Sequence, residues 1–442
     1  MDERWCFGGC WKGCSRSLRN DAGRFEALND HEIQSVRAAS ISSMTVYAGP
    51  CPERWLRTRV ADIVRSNLWL IGRLKNNRGK VALWIPFEGA MDYRNCLEIK
   101  HIVRETDSDD IDFPELLPEF WVKPGVAIVD AEEHIFKIVA LVEASKQRWH
   151  LLMSMSHVVA DAHTFYMIHN MMDKAAAVCP MEVKRRHFSP ISCLPGVPFH
   201  WKWFFWFLNQ TRIALLRQKN QVLNIRMRYV NMDWVEEQKK NFAAEPDAPF
   251  ISANDLLTSW FFRETKPACG VMMLNMRGRM EGLEDEHAGV YSTMLIFYPN
   301  EYQSPANIRR AIQRKSPACT LEGRQQWPGR GGKCGLVTSF HTFNRDLQFD
   351  GCTQQLHVPS GASGDEALQS PSAIIFRPSS DQLAMVTITE EELSSGPLGT
   401  DVLVGAIDAR KLSGAEKKTA VSTVCLLNCK LFDTVHVLLH VS

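Results

Sequence analysis

The chain has 442 residues, of which 45% are hydrophobic and 23% are charged, and its formal net charge is +1. This composition is typical of a globular protein and argues against disordered, fibrous and membrane-spanning classes. A charge so near zero gives no reason to expect nucleic acid or an anionic membrane surface as a partner. The length exceeds one ordinary hydrophobic core, so we expect two domains.

The 13 cysteines are odd in number and form no C-x-x-C framework. The opening MDERWCFGGC contains acidic residues and lacks the apolar stretch of a secretory signal, so we expect a cytoplasmic protein. Cys6, Cys10 and Cys14 raise the alternative of a metal site. No second cysteine pair or histidine follows them at zinc spacing, and we predict no metal.

Residues 1–45 show no periodic pattern and are predicted to be an N-terminal extension. An N-terminal lobe is predicted over 46–180. Apolar residues recur at helical spacing in PERWLRTRVADIVRSNLWLIGRL, KVALWIPF predicts a strand, and EEHIFKIVALVEASKQRWHLLMSMSH predicts a two-stranded hairpin. A helix should follow from Ala162 to about Val178, with Asp161 as its N-cap.

Residues 181–222 combine basic residues, prolines and aromatic residues, and we predict a crossover linker there. Its WKWFFWFL segment is too short to span a membrane. Packing between domains is therefore favoured over lying on a membrane surface, and membrane association is not expected. A C-terminal lobe is predicted over 223–442, although 408–442 has no confident assignment.

The C-terminal lobe should begin with a capped helix in ISANDLLTSWFFRET. Strands are then predicted in GVMMLNMRGR, GVYSTMLIFYP, KCGLVTSF, SAIIFRP and QLAMVTI. Helices mixed with runs of strands in both halves predict an α/β fold with mixed sheets.

The pattern His-x-x-x-Asp occurs twice, as His157 with Asp161 and as His169 with Asp173. About one such match is expected by chance, so context must decide between them. The second copy falls inside the predicted helix and is explained by an i,i+4 pair on a partly exposed face. The first lies where a strand ends, a position that presents side chains to clefts in which ligands bind.

A histidine with a pKa near about 6.5 can take a proton from a hydroxyl or amine at neutral pH, so His157 is predicted to be a general base. Asp161 can serve as the helix N-cap, and it can also hold the turn through a buried ion pair. Neither role makes it a proton carrier.

SHVVADAHTFY resembles the His-x-x-x-Asp-Gly centre of the acyl-CoA-dependent acyltransferases, the superfamily of chloramphenicol acetyltransferase, plant hydroxycinnamoyl and alkaloid acyltransferases and peptide-synthetase condensation domains. SANDLLTSWFF, LNMRGR and GLVTSFHTFNRDLQFDG are similar to three later segments of that superfamily, in the same order. The chain departs from the pattern at Ala162, Phe340, the Phe349-Asp350-Gly351 turn and Cys352, which bears on acceptor class and loop geometry more than on fold.

The resemblance implies a two-lobed chloramphenicol acetyltransferase-like fold with an active-site tunnel between the lobes. It implies that His157 deprotonates the acceptor while both substrates are bound, without a covalent acyl-enzyme. Thr338 or Ser339 would donate to the oxyanion, unless both are ordinary strand residues. Asp161 would pair with Arg277 on the second lobe, with Arg279 as the alternative.

We therefore predict an acyltransferase of secondary metabolism that moves an acyl group from acyl-CoA, its co-substrate, to a small-molecule alcohol or amine, with no resident cofactor. One alternative is acyl transfer from a carrier protein, as in condensation domains, which often carry a second histidine where this chain has Ser156. The other is a catalytically inactive binding or scaffold protein of the same fold.

Overall fold

The computed structural model describes residues 23–87, 96–102, 119–143, 145, 147–188, 224–313, 333–359, 371–393 and 402–407. The cysteines of the possible metal site, the WKWFFWFL segment and residues 408–442 lie outside the described residues. The predictions made for them therefore stay predictions.

The described strands form three sheets, with three, seven and five strands. In chain order the strands are β1 (Gly23–Ala27), β2 (Ile41–Ala48), β3 (Arg73–Asn77), β4 (Lys80–Pro86), β5 (Leu97–His101), β6 (Phe136–Glu143), β7 (Arg148–Met155), β8 (Asn224–Val230), β9 (Cys269–Asn275), β10 (Ser292–Phe297), β11 (Cys334–Ser339), β12 (Thr353–Pro359), β13 (Ser372–Ser379), β14 (Gln382–Thr389) and β15 (Leu403–Ala406).

The helices cover the sheets and in several cases begin at a capping side chain. They are α1 (Asp30–Gln34), α2 (Glu53–Ser66), α3 (Gly125–Ile128), α4 (Ala162–Asn170), α5 (Met232–Asn241), α6 (Ala253–Thr265) and α7 (Pro305–Gln313). Among the described residues, no helix is long and apolar enough to span a membrane.

The five-stranded sheet has the order β12-β2-β7-β6-β5 and forms the centre of the N-terminal lobe. Its predicted hairpin is confirmed, since β6 and β7 pair antiparallel from Phe136 with Met155 to Glu143 with Arg148. Nearly every residue of both strands is buried, because apolar clusters cover both faces of the sheet. This explains why the two strands appear in the sequence as continuous apolar runs rather than alternating ones.

The seven-stranded sheet has the order β10-β9-β11-β13-β14-β8-β15 and forms the centre of the C-terminal lobe. It is mixed: β11 runs parallel to β9 and β13, and the other pairs are antiparallel. Helix α6 begins at Ser252, whose side chain accepts a hydrogen bond from Asp255 N in a capping box. All the strands and the helix that the sequence predicts in this lobe are present.

The two lobes share an apolar cluster. It joins Met44, Val139 and Leu152 of the five-stranded sheet to Ile374 and Val386 of the seven-stranded sheet. The late strand β12 also crosses over and pairs antiparallel with β2. The predicted C-terminal lobe therefore contributes a strand to the N-terminal sheet. Segments before and after residue 223, the predicted lobe boundary, thus pair and pack with each other.

The N-terminal extension predicted over 1–45 needs correction for its described part. Strand β1 pairs with β4, helix α1 follows, and β2 begins at Ile41 inside the five-stranded sheet. These elements carry no long periodic run because β1 and α1 have only five residues each. Residues 23–45 are thus part of the N-terminal lobe.

Candidate active site

The first His-x-x-x-Asp lies in the turn between β7 and α4. Strand β7 ends at Met155, and the backbone N–H of Ser156 donates to the Ile135 carbonyl at 2.8 Å, closing the strand. Asp161 then begins the helix, because its Oδ1 accepts from Thr164 N at 2.9 Å. The predicted N-cap is confirmed, and His157 is held within a six-residue connection between two buried elements.

The His157 ring is half-buried, and its enclosed Nδ1 makes no hydrogen bond of regular geometry among the described residues. Burial lowers the pKa of His157, while its own backbone carbonyl and the Asp161 charge act in the opposite direction. The imidazole is therefore neutral at pH 7, the form that accepts a proton in general base catalysis.

Asp161 forms an ion pair with Arg277 of the C-terminal lobe. The Arg277 Nη1 lies 2.7 Å from Asp161 Oδ2, and neither side chain is more than 7% exposed. Burial alone would raise the pKa of Asp161, but the Arg277 charge and hydrogen bonds from Thr164 and Tyr291 lower it to about 2. Asp161 thus remains an anion at neutral pH and is not a proton carrier.

The Arg277 guanidinium has five N–H groups, and each has an acceptor. The acceptors, at 2.7 to 3.1 Å, are the carbonyls of His287 and Gly289, the side chains of Asn275 and Thr164, and the Asp161 carboxylate. A fully satisfied buried guanidinium has one orientation, so it fixes the start of α4 against the C-terminal lobe.

The sequence left Arg277 and Arg279 as alternatives on the assumption that both belong to one strand. That assumption is wrong, because β9 ends at Asn275 and both arginines lie in the following turn. Their side chains diverge: Arg277 contacts Asp161, while Arg279 Nη1 donates to the Ile312 carbonyl at 2.5 Å.

Gly289 contributes its backbone to this hydrogen-bond network. Its carbonyl accepts from Asp161 N at 3.1 Å, and its φ of +141° lies in a region that favours glycine. A Cβ at this position would lie 2.9 Å from the Tyr291 ring and 3.0 Å from Glu32 Oε1. Any larger residue would therefore push apart the segment that holds Asp161.

The second His-x-x-x-Asp differs from the prediction of a partly exposed i,i+4 pair. Helix α4 ends at Asn170 instead of near Val178, and His169 is only 1% exposed. Its ring stacks against Phe165 and meets His357 edge-on. Asp173 lies beyond the helix end, where it accepts from Ala175 N and Gln348 N, and no side-chain contact joins it to His169 in the described structure.

Thr338 and Ser339, the two candidate oxyanion donors, are half-buried at the end of β11. Parallel pairing places Thr338 beside Ile374 and Ser339 beside Ile375. Ile374 belongs to the apolar cluster between the lobes and Ile375 to the outer core of the C-terminal lobe. Thr338 therefore lies on the face toward the N-terminal lobe, whereas the Ser339 hydroxyl contacts His341 Nδ1 at 2.6 Å.

The Phe349-Asp350-Gly351 turn contributes Phe349 to the hydrophobic core. Phe349 is buried and packs edge-on against Tyr47, Trp55 and Trp149 with ring centroids 5.1 to 5.3 Å apart. No group of three potential metal ligands occurs in the part of the chain that the structure describes.

Sequence reasoning missed a second histidine near this site, His31, which interacts electrostatically with His157 and Asp161. It lies in α1, where Asn29 and Glu32 form a capping box. The Asn-x-x-Glu spacing was a readable helix signal, but the position of His31 relative to His157 was not, because it depends on long-range packing. Glu32 is fully buried and paired with Arg185 at 2.9 Å, which fastens α1 to the chain after α4.

Solved structures share this architecture. TRI101 of F. graminearum, in complex with coenzyme A and T-2 mycotoxin, superposes with a TM-score of 0.59 at 11% identity, over 86% of this chain and 99% of that chain. TRI101 of F. sporotrichioides, with coenzyme A and T-2, gives 0.57 at 12% identity, over 83% and 95%.

Two further likenesses come from other proteins. Vinorine synthase gives a TM-score of 0.54 at 13% identity, over 86% of this chain and 92% of its own. The first condensation domain of the CDA synthetase gives 0.53 at 10% identity, over 86% and 93%. No family model matches the chain, and no curated protein sequence matches it.

The chain has the two-lobed chloramphenicol acetyltransferase-like fold, with mixed sheets flanked by helices. The resemblance to the acyltransferase and condensation-domain superfamily is thereby confirmed at the level of fold.

Proposed function

We propose that this chain is an acyltransferase that moves an acyl group from acyl-CoA to an alcohol or amine, with His157 as general base. The observation that carries the proposal is a neutral His157 on a turn that the Asp161–Arg277 ion pair holds between the lobes. TRI101 structures contain coenzyme A together with T-2 or deoxynivalenol, which supports a site for acyl-CoA and a small-molecule acceptor.

In the proposed reaction both substrates bind before chemistry. His157 takes the proton of the acceptor hydroxyl or amine as that oxygen or nitrogen attacks the thioester carbonyl. The tetrahedral intermediate collapses by breaking the carbon–sulfur bond, and His157 returns the proton to the CoA sulfur. No acyl-enzyme forms, so proximity of the two bound substrates supplies much of the acceleration.

Thr338 is the proposed oxyanion donor, because it lies on the face toward the N-terminal lobe while Ser339 is engaged by His341. Thr338→Val should raise the activation barrier by up to a few kcal/mol, and so lower kcat, with little change in acceptor affinity. Ser339→Ala should change kcat less. Equal activity of Thr338→Val and the parent would place the donor elsewhere.

Asp161 is proposed to be architectural. Both oxygens of its carboxylate already accept hydrogen bonds, Oδ1 from Thr164 N and Oδ2 from Arg277 Nη1 and Tyr291 N, and none of these bonds involves the His157 ring. We further propose that acyl-CoA is a co-substrate and that the reaction needs no resident cofactor. The setting proposed for the reaction is secondary metabolism in the cytoplasm.

The experiment measures thiol release by the purified chain from acetyl-CoA and longer acyl-CoAs. The acceptor panel is cyclohexanol, phenethyl alcohol, phenethylamine and deoxynivalenol. Acceptor-dependent release with formation of an ester or amide is the expected result. Activity only with an acyl-loaded carrier protein would support the condensation-type alternative, and tight CoA binding without any release would support a scaffold.

A further inference from the structure

Helix α1 brings His31 to the segment that holds the catalytic turn. The Asn29 side chain donates to the Val290 carbonyl at 3.2 Å. In the next residue along that segment, Tyr291 N donates to Asp161 Oδ2 at 2.9 Å. Asp161 and the start of α1 therefore both contact the short segment of Val290 and Tyr291. This shared segment holds α1, and with it His31, close to Asp161.

Aromatic packing fixes the His31 ring. It stacks on Phe188 with a centroid separation of 6.2 Å and an interplanar angle of 27°. Phe188 in turn meets the Tyr291 ring edge-on at 5.7 Å. Phe188 and Tyr291 are fully buried, so the platform beneath the imidazole is rigid and orients it before any ligand binds.

The electrostatics of His31 couple it to the proposed base. Burial, and to a smaller extent the His157 ring, lower its pKa to about 4, although the Asp161 charge and a hydrogen bond with the Ser292 backbone act in the opposite direction. His31 is thus neutral at pH 7 and within electrostatic reach of both site residues. Its Nδ1 is buried and makes no hydrogen bond of regular geometry among the described residues, although the Ser292 backbone lies near the ring.

We propose that His31 is a substrate-positioning residue whose imidazole hydrogen-bonds a second polar group of the acceptor while His157 deprotonates the first. This inference rests on the proposed acyl transfer and narrows its acceptor. The acceptor class is a small molecule with a neutral hydroxyl or carbonyl near the reacting hydroxyl or amine.

The chemistry of the ring selects that class. A buried polar atom without a partner costs about 1 to 3 kcal/mol, so a ligand that satisfies it is favoured. A neutral imidazole offers one donor and one acceptor, which suits a hydroxyl. Next to the reacting carbon, acyl-CoA presents only the thioester carbonyl, which the proposed oxyanion donor takes, and the sulfur, which receives the returned proton. A further polar group close to the reacting atoms would therefore come from the acceptor.

The test compares cyclohexanol with the vicinal trans-cyclohexanediol as acceptors for acetyl-CoA. The parent should prefer the diol in kcat/KM, and His31→Phe, which keeps a ring on Phe188, should lower that preference by roughly tenfold through a higher KM for the diol. The KM for acetyl-CoA should not change. His31→Asn should recover part of the preference, because its amide places a polar atom near the position of Nδ1.

His134→Phe is the matched control. His134 is also half-buried with an enclosed Nδ1 that has no partner in the described structure, but it interacts with Arg73, Glu133 and Lys137 instead of the site residues. Its replacement should leave the diol preference as it is in the parent.

An unchanged preference in His31→Phe, or an equal rise of KM for acetyl-CoA, would overturn the proposal. Side-chain ¹⁵N spectra of the histidines in the full chain provide a readout that does not need turnover. The diol should shift the His31 resonances and cyclohexanol should not. A chain that shows this shift but releases no thiol would refute the acyl transfer alone, whereas equal shifts with both probes would refute the role of His31.

Discussion

The two copies of His-x-x-x-Asp have the same spacing and opposite surroundings. In the first, His157 lies on a turn at the end of a strand and Asp161 reaches Arg277 of the other lobe. In the second, His169 is buried in the last turn of α4 and Asp173 caps the turn that follows. In the described structure neither aspartate forms a side-chain hydrogen bond with the histidine of its own copy, so the copies differ in where each histidine lies.

The contrast shows what a short motif can mean. Across a strand-to-helix turn, the histidine of the tetrad lies half-buried on the connection, and the aspartate is free to fix that turn through Arg277. The same tetrad at a helix end places its histidine under the helix, where packing decides its environment. The role of a short motif thus depends on the secondary structure that surrounds it.

The largest expected effect is a difference in stability between variants of the two aspartates. Asp161→Asn leaves Arg277 buried without its counter-charge and should lower the free energy of unfolding by about 3 to 5 kcal/mol, with activity falling as well. Asp173→Asn keeps an oxygen that accepts from Ala175 N, so it should cost about 1 kcal/mol or less. Urea unfolding midpoints of both variants measure this.

Arg277→Met completes a double-mutant cycle with Asp161→Asn. If the two residues act only as a pair, the double variant should be no less stable than either single variant. Additive losses would show that they do not interact. A stable but inactive Asp161→Asn would make Asp161 a direct catalytic partner of His157.

The next effect separates the two histidines in turnover. His157→Ala should lower kcat by about a hundredfold or more, with substrate binding nearly unchanged, because the base is lost. His169→Ala removes a buried ring and should cost about 2 to 4 kcal/mol of stability through the cavity it leaves. Per mole of folded protein, however, it should keep its kcat. Equal losses of kcat in the two variants would contradict the distinction.

Much of this arrangement could be predicted from the sequence, since it depends on local pattern. The hairpin before His157, the N-cap at Asp161 and the strands of the C-terminal lobe all follow from periodicity and capping within short windows. The pairing of Asp161 with Arg277 could be proposed only from the resemblance, because 116 residues separate them.

What could not be predicted depends on contacts between distant segments. Strand β12 joins the N-terminal sheet by pairing with the distant β2, and β1 and α1 pack into the N-terminal lobe although each has only five residues, too few to show a period. The burial of His169 could not be predicted either, because it depends on His357 of β12, which packs against the C-terminal end of α4. The Arg277 and Arg279 side chains diverge because β9 ends at Asn275, four residues before the end of the predicted strand.

The remaining expected effect is gradual and concerns acid stability. Burial lowers the pKa of His169 from 6.5 to about 4, so the unfolded chain binds a proton there that the folded chain refuses. The stability that this neutral histidine allows is complete above pH 6.5 and is lost as pH falls toward 4, at about 1.4 kcal/mol per pH unit. His169→Phe should remove that part of the slope in urea midpoints measured against pH. An unchanged slope would show that His169 stays accessible to protons in the folded chain.

The most direct test of the account is the pH dependence of thiol release from acetyl-CoA, as kcat/KM, between about pH 5 and pH 8. Because burial lowers the pKa of His157 below 6.5, activity should be constant at neutral pH and fall only at a midpoint under 6.5, where the base becomes protonated. The residual activity of His157→Ala should lack this acid limb, and His169→Phe should retain it. A midpoint above 6.5, or the same limb in His157→Ala, would contradict the assignment of His157 as the base.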